Sequence, residues 1–379
     1  MTTATTAQAL PDSRLKAMLG YLDADPDNVA LLADAAEAAL DARAPDIASD
    51  LLARRAGIIP PSPREFNLAG LSALQRRDFD SAAEAFTALF DGGADDPGIR
   101  FNLAWARANQ KDFAAALEVL DDASARTLPQ AAMLRVQLMH ELADFEGAGE
   151  AARAYVELFP DHIGLMAAVS VLALDIEDEA LAAACATKAG DHPDALATLG
   201  TLALGNDHAV DARAMFERAL EQNPGVPRAW IGLGLARMMT GDTAAAPADL
   251  DKGAEMFGTH LGSWIAAGWG YFVNGDIPTA RARFETALAL DDSFAETHGS
   301  LAVLDVLAGD VEEAKRKSEI ALRLDRQCYS AALARSLLAA SKGDQDTARR
   351  IFERAASTPI DASGRTIGQA LARMGLGLT

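Results

Sequence analysis

Six histidines (His140, His162, His192, His208, His260 and His298), two cysteines and a regular series of aspartates are the side chains in this sequence that could do chemistry. The histidines form no HExxH pair, "HELADFEG" stops short of one, and the cysteines form no zinc-type cluster. A phosphate-binding GxxxxGK[ST] loop and a GxSxG nucleophile elbow are both missing. "GLGLAR", Gly232 to Arg237, superficially resembles a dinucleotide fingerprint, but no strand precedes it and its glycines read as packing residues within a helix. Asp242, Asp276, Asp310 and Asp344 each follow a glycine. Carboxylates so placed suit a helix N-cap better than calcium or acid catalysis. Cys185 and Cys328 stand far apart among apolar neighbours and read as buried free thiols rather than a disulfide. His208 reads as exposed between helices, and His298 as standing in a packing position that Trp264 occupies elsewhere. These side chains call for no cofactor, no metal and no enzyme.

The aspartates lead to the elements that hold them. The Gly-Asp pairs begin at Gly241, Gly275, Gly309 and Gly343, at equal intervals, and the same short distance after each glycine stands Ala246, Ala280, Ala314 or Ala348. The alanine series runs back through Ala212, Ala180, Ala148, Ala116, Ala82 and Ala48 at the same step or one slightly shorter. Self-similarity at such a period, about 34 residues, marks an array of stacked supersecondary units.

Each unit reads as two helices. In "LGSWIAAGWGYFVNGDIPTARARFETALALDD", Trp264, Ala267, Gly268 and Tyr271 share one helical face before the turn, and Ala280, Phe284 and Ala287 share one after it. Small residues bring the helices close while large ones fill the space beside the crossing. The pattern resembles the tetratricopeptide repeat (TPR) family, with a Trp, a Leu-Gly or Ala-Gly pair and a Tyr on the first helix, then Ala, an aromatic and Ala on the second. Trp230, Leu233, Gly234, Ala246, Leu250 and Gly253 repeat it, as do Leu199, Gly200, Ala212, Phe216, Ala219 and Pro224. The resemblance implies an all-α fold, an α-α superhelix (TPR solenoid) of about ten helix-turn-helix repeats with capping helices.

Some units depart from the pattern. Ser318 replaces the aromatic, the units of Ala148 and Ala180 are slightly short, and the latter lacks a Gly-Asp turn, so a hinge is expected near Ile176 to Asp178. Prolines at 97, 129, 160, 193 and 224 are read as lying between units, where helices stop. The expected organisation is a tail and capping helix over 1–28, with residues 1 to 11 disordered, then irregular repeats over 29–192, regular repeats over 193–360, and a final capping helix and tail over 361–379.

The chain carries 34 basic and 55 acidic residues, a net charge of −21. Such a surface repels nucleic acid and steers in a basic partner. With equal weight, the acid keeps an alanine-rich array soluble. No stretch is long and apolar enough for membrane insertion, and no secretory signal opens the chain. A cytoplasmic location is expected.

The family resemblance implies that the first helix of each pair lines a concave face where a partner binds. First-helix residues not claimed by the packing stripe are then the candidate groove: Arg228, Ile231, Leu235, Met238, Met239, Ile265, Trp269, Phe272, Val273, Val303, Val306, Leu307, Leu333 and Leu337. This lining suits the apolar side of an amphipathic helix or an extended segment of another protein. The competing reading is that these residues contact neighbouring repeats or the chain's own termini. A secondary polar lining comprises Arg64, Asn67, Arg100, Asn102, Trp105 and Asn109. The expected function is a non-enzymatic interaction scaffold or adaptor. Alternatives are a chaperone or assembly factor for a secreted or multisubunit system, and an accessory regulatory subunit of an enzyme such as a transferase. Either end leaves room for a homo-oligomer.

Overall fold

The computed structural model describes residues 13–358. Those residues form twenty-two helices and no strand, and the chain divides into two compact units, Met1–Asp178 and Glu179–Thr379. In the first, a lone helix α1 (Ser13–Ala24) precedes α2 (Val29–Asp41), α3 (Pro45–Ala56), α4 (Pro63–Gln75) and α5 (Phe79–Asp91). These are followed by α6 (Pro97–Asn109), α7 (Phe113–Val119), α8 (Asp122–Ala125), α9 (Pro129–Glu141), α10 (Phe145–Leu158) and α11 (Ile163–Asp175). The second unit holds α12 (Glu179–Ala189), α13 (Pro193–Gly205), α14 (Ala209–Gln222), α15 (Pro227–Met239), α16 (Ala246–Phe257) and α17 (Leu261–Val273). It continues with α18 (Ile277–Leu290), α19 (Ala295–Ala308), α20 (Val311–Leu324), α21 (Tyr329–Ser341) and α22 (Gln345–Ala356). The expected terminal tail and final capping helix fall outside the described residues. The lone first helix is present, and its Leu15 and Leu22 join the core of α2 and α3.

Every turn inside a helix pair has one geometry. A left-handed residue is followed by a residue whose N–H donates to a carbonyl one helical turn and a residue earlier, as from Asp276 to Tyr271 at 3.0 Å. Glycine fills the left-handed position in the last four pairs, at Gly241, Gly275, Gly309 and Gly343. Arg43, Arg77, Lys111, Ala143, Glu177 and Asp207 fill it earlier, at φ between 54° and 68°. Near residue 177, where no Gly-Asp pair stands, the same turn is formed: Glu177 has φ 58°, and the Asp178 N–H donates to Ala173 O at 2.8 Å.

Prolines start helices more often than they stop them. Pro97, Pro129 and Pro193 are the first residues of α6, α9 and α13, a position where the missing N–H has no helical partner to lose and the fixed φ suits the helix. Pro160 and Pro224 lie between helices.

In three of the pairs, a second-helix phenylalanine ring packs against a first-helix glycine. Phe86, Phe216 and Phe284 are fully buried. A Cβ added to Gly70, Gly200 or Gly268 would stand 2.6, 2.7 or 2.3 Å from the corresponding ring. Consecutive first helices also pack on one another in each unit, α2 on α4 on α6 on α9 on α11, and α13 on α15 on α17 on α19 on α21. The corresponding second helices are further apart. First helices therefore line the inner side of each unit.

Candidate functional site

The inner side of the second unit gathers much of the expected groove. Trp269 and Phe272 of α17, Val306 of α19, and Leu333 and Leu337 of α21 pack around buried Ala302, Val303 and Ala334. Trp269 meets Phe272 edge-on at 5.0 Å and Phe284 at 5.6 Å, so its ring is held from the core side. Ile265 packs with them against Phe284, Leu301 and Leu304. Ile231 and Leu235 belong to a neighbouring cluster around Leu250. Arg228 and Met239 are half-buried. Val273 and Leu307 project furthest, 40% and 56% exposed.

Two candidates have no surface to offer. Met238 is 8% exposed and Val303 0%. For Val303 the cause is α19 lying close against α21, where a Cβ on Gly299 would come 2.6 Å from the Ala331 nitrogen. The Glu296 carboxylate fastens this contact, accepting from the N–H groups of Tyr329 and Ser330 at 2.8 and 3.3 Å and so capping α21 from outside. Met238 instead turns into the cluster around Leu250.

The polar candidates belong to the first unit, and two are committed to its structure. Arg64 donates to Asp34 at 2.8 Å and to Glu37, tying α4 to α2. Arg100 pairs with Asp95, lies over the Phe90 ring at 4.9 Å, and donates to Val119 O at 2.9 Å. The second helix of this pair breaks at Leu120, so the Val119 carbonyl accepts from the Asp121 N–H at 3.2 Å as well as from Arg100, and Asp121 caps α8 by accepting from the Ser124 N–H at 2.8 Å. Arg135 donates to the Leu120 carbonyl beside it. The break has a local signal, an aspartate with capping ability followed by "DAS", which the repeat pattern hides. Trp105 is 38% exposed, stacks on Phe101 at 6.3 Å, and its carbonyl accepts from Asn109. Asn67 and Asn102 are half-buried. An open cleft of about 710 Å³ lies on α5 and the end of α6, lined by Asp80, Glu84, Thr87, Asp91, Arg107 and Gln110.

The residues considered for chemistry have structural roles. Asp276, Asp310 and Asp344 cap α18, α20 and α22, accepting from Thr279, Glu313 and Thr347 N–H groups at 3.1, 3.2 and 3.1 Å. Asp242 does not cap. Pro247 cannot sit deep in a helix begun at Thr243, so α16 starts at Ala246. Asp242 pairs instead with Arg213 and Arg237 at 3.3 and 3.8 Å, and the Thr243 carbonyl accepts from Asn274 at 2.6 Å. Buried acids hold several arginines: Asp251 accepts twice from Arg283 at 2.6 Å and from the Tyr271 hydroxyl at 2.7 Å. Burial raises the pKa of Asp249, although Arg237 opposes it. Cys185 and Cys328 are buried and not joined in a disulfide. Among the described residues no group of three or more His, Cys, Asp or Glu could hold a metal ion.

A first-helix layer, a left-handed turn in each pair and an aromatic on a small residue are one repeated unit, and the tetratricopeptide repeat profile matches residues 67–132, 197–258 and 301–364. The chain belongs to the tetratricopeptide repeat family. No curated protein matches it. Among solved structures, a monomeric IFIT1 mutant with Gppp-AAAA is 11% identical, covering 92% of this chain and 95% of that one, with a TM-score of 0.52. The Cut9-Hcn1 hetero-tetramer of APC/C is 14% identical over 91% and 81%, with a TM-score of 0.41. MamA is 20% identical over 41% and 91%, with a TM-score of 0.34. The IFIT1 match is a likeness of fold alone. A tetratricopeptide-repeat scaffold typically mediates protein–protein interaction, and no helix among the described residues is long and apolar enough to cross a membrane.

Proposed function

We propose that this tetratricopeptide-repeat protein is a cytoplasmic scaffold without chemistry of its own, binding an apolar segment of another polypeptide along the inner side of its second unit. The observation that carries this reading is the gathering of Trp269, Phe272, Val306, Leu333 and Leu337 from three successive first helices, with Val273 and Leu307 at the edge. An apolar patch on inner helices suits the apolar side of an amphipathic helix or an extended stretch.

Charge separates the two units. Residues 1–178 hold 14 basic and 29 acidic side chains, a net −15, and residues 179–379 hold 20 and 26, a net −6. α17 has no charged residue at all. Contact there draws on apolar burial and depends little on salt; any steering of a basic partner falls to the first unit.

A photo-crosslinking residue at position 307 would capture the partner, whose affinity is then measured for wild type and for Val273→Glu with Leu307→Glu. Both positions are exposed, so the substitutions spare the fold. Affinity should fall about tenfold or more, the effect of burying unpaired charge, while Val210→Glu, on an exposed residue elsewhere, leaves it unchanged. Equal affinity for all three proteins would sink the proposal.

A further inference from the structure

The first helices of the first unit, α2, α4, α6, α9 and α11, are each thirteen residues long, so equal positions along them form rows across the inner side. Trp105 is the ninth residue of α6, the position that Trp269 holds in α17. Trp269 is held from the core by Phe272 and Phe284. Trp105 instead stacks on Phe101 of its own helix and is 38% exposed. Its indole N–H meets no acceptor among the described residues, whereas those of Trp230 and Trp264 donate to Pro224 O and Gly258 O. The row at the last position reads Asp41, Gln75, Asn109, Glu141 and Asp175. In α15, α17 and α19 the same position holds Met239, Val273 and Leu307.

We propose that the inner side of the first unit is a second docking surface, whose occupant is an extended, proline-containing segment of another protein with basic residues on both sides of the proline. An amphipathic helix satisfies its own backbone groups and has no use for a row of amides. A polyproline-type strand leaves its backbone groups unmet, and Gln75, Asn109 and Gln137, on three successive first helices, can exchange hydrogen bonds with them. Gln75 and Gln137 are exposed and bond to no other described residue. The Asn109 amide donates to Trp105 O at 2.8 Å, which leaves its side-chain oxygen to accept. A proline ring suits the open face of Trp105, because it is apolar and already stiff and loses little freedom on seating. The indole N–H then donates to a carbonyl of the strand.

Charge sets the flanks. Carboxylates stand toward both ends of the last row, Asp41 on α2 and Glu141 and Asp175 on α9 and α11, with the amides between them. Glu141 is exposed, Asp41 meets the exposed Arg14 only at 3.9 Å, and Asp175 lies 2.9 Å from Nε2 of His140. Arg64, near the start of α4, is already committed to Asp34 and Glu37. Packed helix axes lie about 8–10 Å apart and a polyproline strand advances about 3.1 Å per residue. A lysine or arginine about five or six residues to one side of the proline, and about three to six to the other, therefore meets these carboxylates. The net −15 of residues 1–178 steers such a segment in. None of this rests on the groove of the second unit.

Fluorescence anisotropy of labelled peptides of about twelve residues, titrated with the full chain, tests this. One peptide has a proline-rich centre and Lys-Arg pairs at both ends, a second has the same centre and Glu pairs, and a third has a helix-forming alanine centre and Lys-Arg pairs. The first should bind saturably below about 1 mM, and the other two at least about tenfold more weakly. Trp105→Ala should weaken the first about tenfold, as removal of an aromatic anchor does. Asp41→Asn with Glu141→Gln should weaken it about threefold, since exposed charge pairs are each worth little. Val273→Glu with Leu307→Glu should leave it unchanged, so that this surface and the groove of the second unit fail separately. No binding of the first peptide below about 1 mM, equal binding of either other peptide, or indifference to Trp105→Ala overturns the proposal. Should Trp105→Ala fail to fold, the variant of Asp41 and Glu141, both at the surface, decides in its place: an unchanged affinity there overturns the proposal too.

Discussion

The imidazole Nε2 of His298 lies 2.7 Å from the carbonyl oxygen of Asp292, earlier in the chain. Trp264 and Trp230 make the same bond at the same sequence spacing, from their indole Nε1 to Gly258 O at 2.7 Å and to Pro224 O at 2.9 Å. A histidine thus reproduces the tryptophan's polar contact at the equivalent point of the next repeat, and its buried ring must carry the proton on Nε2 to do so. His298→Ala should destabilise the second unit by about 1–3 kcal/mol, because it leaves the Asp292 carbonyl unmet and opens a hole. Urea denaturation measures this; a change under about 0.5 kcal/mol, the range of substitutions that touch nothing, would show the bond to be incidental.

The left-handed turns predict opposite outcomes for opposite substitutions. Ala143 is held at φ 58° and Gly275 at φ 78°. A side chain in that region costs roughly 1–2 kcal/mol, against roughly 0.5–1 kcal/mol of extra chain entropy for glycine. Ala143→Gly should raise the denaturation midpoint by the equivalent of about 0.5–1 kcal/mol, and Gly275→Ala should lower it by about 1 kcal/mol. Matching signs for the two variants would refute the turn geometry.

Gly268 and Phe284 form a coupled pair. Gly268→Ala drives a methyl into the ring and should cost about 1–3 kcal/mol. Shrinking the ring with Phe284→Leu should make the added methyl cheaper, so the double variant should be more stable than the sum of the single effects by at least about 0.5 kcal/mol. Strict additivity in this double-mutant cycle would mean that the glycine is not there to receive the ring.

Acid should weaken the link between α3 and α4. Burial raises the pKa of Glu65, but the Ser62 hydroxyl and amide and the Arg55 guanidinium outweigh it and hold the carboxyl below its ordinary value. The amide bond is 2.8 Å and the ion pair 3.1 Å. A lowered folded value means stability present above the unfolded carboxyl range and lost as the pH falls through the lower folded value. Glu65→Gln should cost stability at pH 7, with the gap to wild type narrowing below about pH 4. A gap independent of pH would assign Glu65 a packing role alone.

The polar lining of the first unit shows where sequence reading stops. Arg64 and Arg100 sit where a solvent-facing side chain is expected, yet Arg64 reaches back to the carboxylates of Asp34 and Glu37 in the preceding repeat, and Arg100 reaches forward to the Val119 carbonyl. An arginine has five donors and a long stem, so its partner is chosen by distance in space. Periodicity along the chain does not contain that distance.

The sequence by itself determined the repeat, its helix pairs and the small and large residues that meet where paired helices cross, because these depend only on spacings of one helical turn and one repeat along a single chain segment. Tertiary structure decided what those spacings do not encode. It seated the Phe284 ring on Gly268, buried Met238 and Val303, and gave Asp242 to Arg213 and Arg237. In each case the deciding partner comes from a neighbouring helix or a local backbone angle, and its position exists only once the helices have packed.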